Sequence, residues 1–188
     1  MPEQRGRWQW HRLDARWAAR LVADAGIRPG DVVVDVGAGL GAITGALVDA
    51  RARVIAVELH RGRAAALRAR FARADPPVTV VVADAADLRL PRRPFHVVAN
   101  PPFALTAPLV RRLLAPGSRL ERADLVLQHA AAKRVAEGRL PGALRWTRDF
   151  EARVDLVIPR AAFHPRPPVD CARLVLARRV TPPSGARR

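Results

Sequence analysis

Apolar positions along the chain change their period several times, and the changes divide it into elements. Leu13, Trp17, Leu21 and Val22 recur at helical spacing across residues 14–25, and residues 31–36 form a β-branched run that ends on Asp35 and a group of glycines. The same alternation predicts a helix over 41–50, a strand over 54–58, an alanine- and arginine-rich helix over 61–72 and, after the turn at Asp75-Pro76-Pro77, a strand over 78–82. A strand over 95–99, a helix over 105–114, a strand near 125–127 and a short helix over 129–137 follow. Strands alternating with helices of this length predict an α/β fold whose mostly parallel sheet is covered on both faces. In the last quarter, 152–158 and 172–177 read as two strands joined only by a proline-rich connector, so the sheet is expected to end antiparallel.

The 188 residues, 49% of them hydrophobic, suffice for one well-buried core and fall short of two ordinary domains. Residues 1–180 are therefore expected to form a single domain, with 1–26 as a basic and aromatic segment and helix, and 181–188 as a disordered tail. The net charge of +16 arises from 33 Lys and Arg against 17 Asp and Glu, with Lys133 the only lysine. Such a balance suits a polyanion, and arginine adds a planar fork for phosphate and a face for bases. A GC-rich genome would account for arginine over lysine, but not for the excess over acids. Cys171 stands alone in an apolar run, which excludes a disulfide framework and makes it a small core residue. No Cys/His spacing suggests a metal. No apolar run is long enough for a membrane span, and the N-terminus carries charge and tryptophan where a signal peptide would be apolar. A cytoplasmic monomer is expected.

The first chemical signal is DVGAGLGA, from Asp35 to Ala42, where glycines between a strand and a helix allow close approach of a nucleotide. Gly37, Gly39 and Ala42 also satisfy the dinucleotide pattern, with Glu58 about where a ribose-binding acid belongs, so a hydride-transfer enzyme stays in play. Against it, Asp35 would repel a pyrophosphate but could hold an ammonium. Glu58 closes the second strand, where it can accept both ribose hydroxyls. Asp84 is read as closing the third, where it can accept from an adenine amino group or merely cap a helix. Acids at three consecutive strand ends face one edge of a parallel sheet, the edge where such folds bind ligands. The fourth strand ends in Asn100-Pro101-Pro102-Phe103. The Asn100 side-chain carbonyl and the Pro101 backbone carbonyl can accept from an exocyclic amine, proline stiffens the loop, and Phe103 offers a face to the base carrying that amine.

DVGAGLG, VELH, VVADA and ANPPF together resemble the class I S-adenosylmethionine-dependent methyltransferases that act on amino groups. The ending FHPRPPVDCARLV, from Phe163 to Val175, narrows the resemblance to the ribosomal RNA adenine N6-dimethyltransferases, the Erm and KsgA group. That resemblance implies a Rossmann-like, mostly parallel seven-stranded sheet with an antiparallel last strand. It implies S-adenosylmethionine as cofactor, with Gly37, Gly39 and Gly41 around its methionine part, Asp35 near its ammonium, Glu58 on the ribose and Asp84 on the adenine. Leu59, Ala85 and Asn100 complete the expected cofactor set. The target adenine would be flipped out of RNA, stacked on Phe103 and held at N6 by Asn100 and Pro101.

The sequence departs from the family in two places. A Gln-Asn-Phe-Leu-like element usually closes over the cofactor; here Gln9 to Leu13 occupies that region, and Gln9 or His11 is the candidate for the cofactor carboxylate, although a histidine in this stretch is otherwise expected to be solvated. Typical members also continue into a small helical domain after the last strand, so RNA grip is expected from Arg5, Arg7, Trp8, Trp10 and Arg12, with Arg16, Arg20 and a core-facing Trp17 behind them. Arg111 with Arg112, and Arg145 with Arg148, are further candidates. The preferred expectation is N6-methylation of an adenine in 23S rRNA, free or in a large-subunit precursor, giving macrolide, lincosamide and streptogramin resistance. A 16S rRNA or DNA adenine target, and a non-catalytic RNA-binding factor on the same fold, are the alternatives.

Overall fold

The computed structural model describes residues 11–140 and 147–179. Its elements, in chain order, are β1 (Arg12–Leu13), α1 (Ala15–Ala25), β2 (Val32–Val36), α2 (Ala42–Asp49), β3 (Arg53–Val57), α3 (Arg61–Arg70), β4 (Thr79–Val81), β5 (Phe95–Ala99), α4 (Thr106–Leu113), β6 (Leu120–Gln128), α5 (His129–Ala136), β7 (Phe150–Ile158), β8 (Phe163–His164) and β9 (Cys171–Arg178). α1 shows how local chemistry sets the boundaries. The Asp14 carboxylate accepts from Trp17 N–H at 2.8 Å at its start, Gly26 in the left-handed region at φ 67° ends it, and Ala18, Leu21, Val22 and Ala25 bury one face.

Seven strands form one sheet in the order β4-β3-β2-β5-β6-β9-β7. β4, β3, β2, β5 and β6 are mutually parallel, and β9 runs antiparallel between β6 and β7. Parallel pairing buries the strands on both faces, which is why β2 reads VVVDV without alternation. Val98 packs with α1 and α2, while its neighbours Val97 and Ala99 pack with α4 and α5, so successive residues feed opposite layers. The expected parallel sheet with an antiparallel ending is what forms.

Two features depart from expectation. β6 spans nine residues rather than three, because Asp124, only 1% exposed, is paired inside the strand by Arg122, whose Nε donates to it at 2.7 Å. The pair β1 and β8 forms a separate two-stranded antiparallel sheet, with Arg12 opposite His164 and Leu13 opposite Phe163. It pins the stretch before α1 to the proline-rich connector between β7 and β9. Cys171 is buried, as expected of a core residue.

Candidate active site

β3 and β4 lie to one side of β2 and β5 lies to the other, so the order of strands reverses between β2 and β5, the place where folds of this kind bind ligands. The glycine loop after β2 therefore faces the Asn100 loop after β5. Gly37 sits at φ 75°, and a Cβ there would stand 3.1 Å from Pro102 Cδ. Its N–H and that of Ala38 donate to Val57 O at 2.9 and 3.0 Å, fastening the loop to β3.

Two clefts open on this edge. The larger, of about 420 Å³, is lined by Gly37, Glu58, Leu59, Asp84 and Ala85, and also by His60, Arg61, Arg63 and Pro102. The smaller, about 20 Å³, is lined by Asp35, Gly37, Asn100 and Arg12 among others. Most of the expected cofactor set is thus brought to one edge. Gly39 and Gly41 line neither cleft: the N–H of Gly39 donates to Glu58, and Gly41 caps α2. The basic residues after Glu58 escaped the sequence reading, although a run of them directly beyond an acid at a strand end was the available signal.

The three acids differ in state. Glu58 is buried; its Oε2 accepts from Gly39 N–H at 2.9 Å, and its Oε1 accepts from His60 N–H at 2.8 Å and from Arg63 Nη2 at 2.7 Å. With two lone pairs per carboxylate oxygen, Oε2 keeps one for a ligand hydroxyl while Oε1 is filled. Asp84 does not close β4, which ends three residues earlier at Val81; it caps the short helical turn Ala85–Asp87, accepting from Ala86 N–H at 2.9 Å, while also lining the larger cleft. Val82 and Ala83 intervene outside any regular element, since the pairing of β4 with β3 stops at Val81. Asp35 lies within β2, almost fully buried, and its Oδ2 accepts from the Thr44 hydroxyl at 2.7 Å. Burial raises its carboxyl from 3.8 to about 7, against the opposing pull of the Thr44 hydrogen bonds.

Asn100 Nδ2 donates to the backbone carbonyl of His11 at 2.7 Å. The amide oxygen Oδ1 is therefore the end left for a ligand. Phe103 is partly exposed, and the ring of His11 stacks on it with centroids 5.4 Å apart. His11 is not solvated: it is 7% exposed, because the β1–β8 pairing closes over it, and it lines neither cleft. Trp17 is half-buried, with the Arg20 guanidinium 5.2 Å over its ring. Arg12 is exposed beside the smaller cleft, whereas Arg111 and Arg112 lie exposed in the last turn of α4, at the opposite end of that helix from Asn100. Arg148 is exposed on the loop before β7. Arg5, Arg7, Trp8, Gln9, Trp10 and Arg145 lie outside the described residues.

This strand order, with the acid-lined cleft at the switch point, defines the class I S-adenosylmethionine-dependent methyltransferase fold; the magnesium protoporphyrin IX methyltransferase of Synechocystis shares it at a TM-score of 0.60 and 17% identity. More narrowly, the family model for ribosomal RNA adenine dimethylase matches residues 12–187, and the chain belongs to that family. It is 37% identical over 181 residues to a ribosomal RNA small subunit methyltransferase A of Streptomyces avermitilis, covering 90% of this chain and 61% of the relative. It is 39% identical over 177 residues to an rRNA methyltransferase of Streptomyces thermotolerans, covering 90% of this chain and 57% of the relative. The chain thus spans about six tenths of the length of these curated relatives. Among solved structures, the 23S rRNA methyltransferase ErmE superposes with a TM-score of 0.81 at 30% identity, covering 95% of this chain and 73% of that one.

Proposed function

We propose that the chain transfers a methyl group from S-adenosylmethionine to N6 of an adenine in 23S rRNA, with residues 1–180 acting as one catalytic domain. The observation that carries the reading is the Asn100 amide, held by the His11 carbonyl so that Oδ1 remains as acceptor beside a partly exposed Phe103. The cofactor fits the donor set: three carboxylates at one edge of a strongly basic chain suit a ligand with an ammonium, a ribose and an adenine and no phosphate. When bound, S-adenosylmethionine supplies a methyl group on a positively charged sulfur.

The residues divide the remaining work. Asp35 faces the ammonium, Glu58 Oε2 accepts from a ribose hydroxyl and Asp84 from the adenine amine. Leu59 and Ala85 give apolar walls, and Arg63 yields Glu58 Oε1 to the second hydroxyl. Asn100 Oδ1 and the Pro101 carbonyl accept both N6 hydrogens of the target base, which turns the nitrogen lone pair out of conjugation with the ring and toward the methyl. Phe103 stacks on the base, and the N6 proton leaves to solvent. Catalysis of this kind rests on positioning rather than on a dedicated base. Arg12 and the basic segment before it contact the RNA backbone, with Arg111, Arg112, Arg145 and Arg148 as outlying contacts.

The likeness to the ErmE structure supports the 23S target, and with it a role in resistance to macrolide, lincosamide and streptogramin drugs. The small-subunit name of the Streptomyces avermitilis relative favours a second reading, an adenine of 16S rRNA. Purified protein with radiolabelled S-adenosylmethionine and, separately, protein-free 23S rRNA, 16S rRNA and duplex DNA separates them. Label in 23S rRNA that vanishes in Asn100→Ala is the expected result. Label in 16S rRNA moves the proposal to the second reading, and a failure to bind S-adenosylmethionine overturns both.

A further inference from the structure

Three segments far apart in the sequence meet at His11. Its backbone carbonyl accepts from Asn100 Nδ2 at 2.7 Å, its Nδ1 lies 2.8 Å from the carbonyl oxygen of Pro165, and its ring stacks on Phe103 at an interplanar angle of 26°. A backbone carbonyl only accepts, so Nδ1 carries the hydrogen, and in the neutral ring Nε2 is a bare lone pair. That Nε2 is buried, with no hydrogen-bond partner among the described residues. A phenylalanine would fill the same space without stranding an acceptor, which costs stability. What histidine adds is the tether to Pro165. With the ring tied down, the segment that carries the His11 carbonyl stays opposite Asn100, and the Phe103 ring is backed by a second ring on one side.

We infer that His11 is a positioning residue for methyl transfer: it fixes which end of the Asn100 amide faces the target amine and holds Phe103 as a stacking platform, without touching the cofactor. The inference rests on the proposed reaction, since that reaction is what gives Asn100 Oδ1 and the Phe103 face their roles. It also explains how a loop of two prolines can present an amide in one orientation. Proline stiffens the backbone of the loop, but the side chain of Asn100 needs its own anchor.

The test compares His11→Ala and His11→Phe with the wild type, using the full chain. Calorimetry is expected to give the same affinity for S-adenosylmethionine in all three, because His11 lines neither cleft. In His11→Ala, kcat on rRNA is expected to fall about a hundredfold with KM for RNA unchanged, the loss that misplacing a reacting group by about 1 Å produces. In His11→Phe the stack returns, and about tenfold of that loss is expected to return with it. The Asn100 side-chain amide resonances, followed by NMR, are expected to shift in His11→Ala and to stay shifted in His11→Phe, which restores the stack on Phe103 but not the tether to Pro165. An unchanged kcat, or a loss that follows cofactor affinity, overturns the inference. If the wild type labels no RNA, the proposed function fails by itself; Asn100 resonances unmoved in both variants then overturn the positioning role separately.

Discussion

Asp35 concentrates the electrostatic cost of the site in one side chain. Its folded carboxyl titrates near 7 against an ordinary 3.8, raised by burial, so between those values the folded chain holds a proton that the unfolded chain has released. Stability from this group is therefore complete below about pH 3.8 and is lost as the pH rises toward 7. The slope reaches at most about 1.4 kcal/mol per pH unit. Asp35→Asn keeps an acceptor for Thr44 and removes the proton, so urea unfolding midpoints that decline across this window in the wild type are expected to decline less in the variant. Equal slopes in both proteins would place the titration elsewhere. Gly37 makes a different, steric demand. Alanine there must hold a left-handed φ of 75° and press a Cβ to 3.1 Å from Pro102, so strain of about 1–2 kcal/mol is expected to fall on the Asn100 loop. Gly37→Ala is thus predicted to lower both cofactor affinity and methylation while circular dichroism shows an intact fold; unaltered activity would show that the two loops move independently.

At the level of elements, β6 is the strand whose stability depends most on charge. Arg122 Nε and Nη2 grip Asp124 at 2.7 and 3.0 Å, and Arg173 on β9 bridges to Asp155 on β7 at 2.7 Å and to Asp24 on α1 at 3.2 Å. Removing the buried acid leaves Arg122 and Arg173 facing each other without it. Asp124→Ala is expected to cost about 3–5 kcal/mol, read from urea unfolding, and a change under about 1 kcal/mol would mean that the pair is solvated. The same network explains what the sequence did not disclose. Leu-Glu-Arg-Ala-Asp looks like a polar approach to a short apolar strand, and nothing in the run discloses that Arg122 grips Asp124 within the strand while Arg173 of β9 stands 3.9 Å from the same acid. β1 and β8 have two residues each, too few for any period to show, and the burial of His11 follows from their pairing across about 150 positions. By contrast the runs of β2, β3 and β5 and the helical periods of α1 and α3 are local signals, and they appear within a few residues of where the pattern set them. The edge that collects Gly37, Glu58, Asp84 and Asn100 was legible for the same reason, since each stands at or beyond the end of a readable strand. Arg63 on Glu58 was not, because a side chain that folds back five residues leaves no periodic mark.

On the scale of the whole molecule the net charge of +16 suits the proposed rRNA substrate, and Arg12 of β1 with two arginines of α1 offers it contacts. Arg12 lies beside the smaller cleft, and Arg16 and Arg20 follow at intervals of four residues, all exposed. Helical rise places the last two about 6 Å apart on one side of α1. The Arg20 pairing with Asp24 at 3.8 Å is exposed and therefore weak, so the guanidinium remains available while its stack on Trp17 limits its wandering. Arginines that begin with Arg12 at the smaller cleft and continue onto α1 with Arg16 and Arg20 suit the backbone leading to a flipped nucleotide. Phosphate contacts of this type release counterions, and for single strands each contributes about 0.7 to the slope of log affinity against log salt. Replacing Arg12, Arg16 and Arg20 together by glutamine is therefore predicted to lower that slope by about 2, in filter binding of rRNA fragments across a salt series. The triple variant should lose affinity almost evenly across sequences, since phosphate contacts carry no sequence information. A slope that does not change would assign the neutralising charge to another face, such as the far end of α4 with Arg111 and Arg112. The adenine would then have to be reached from the opposite side of the sheet edge.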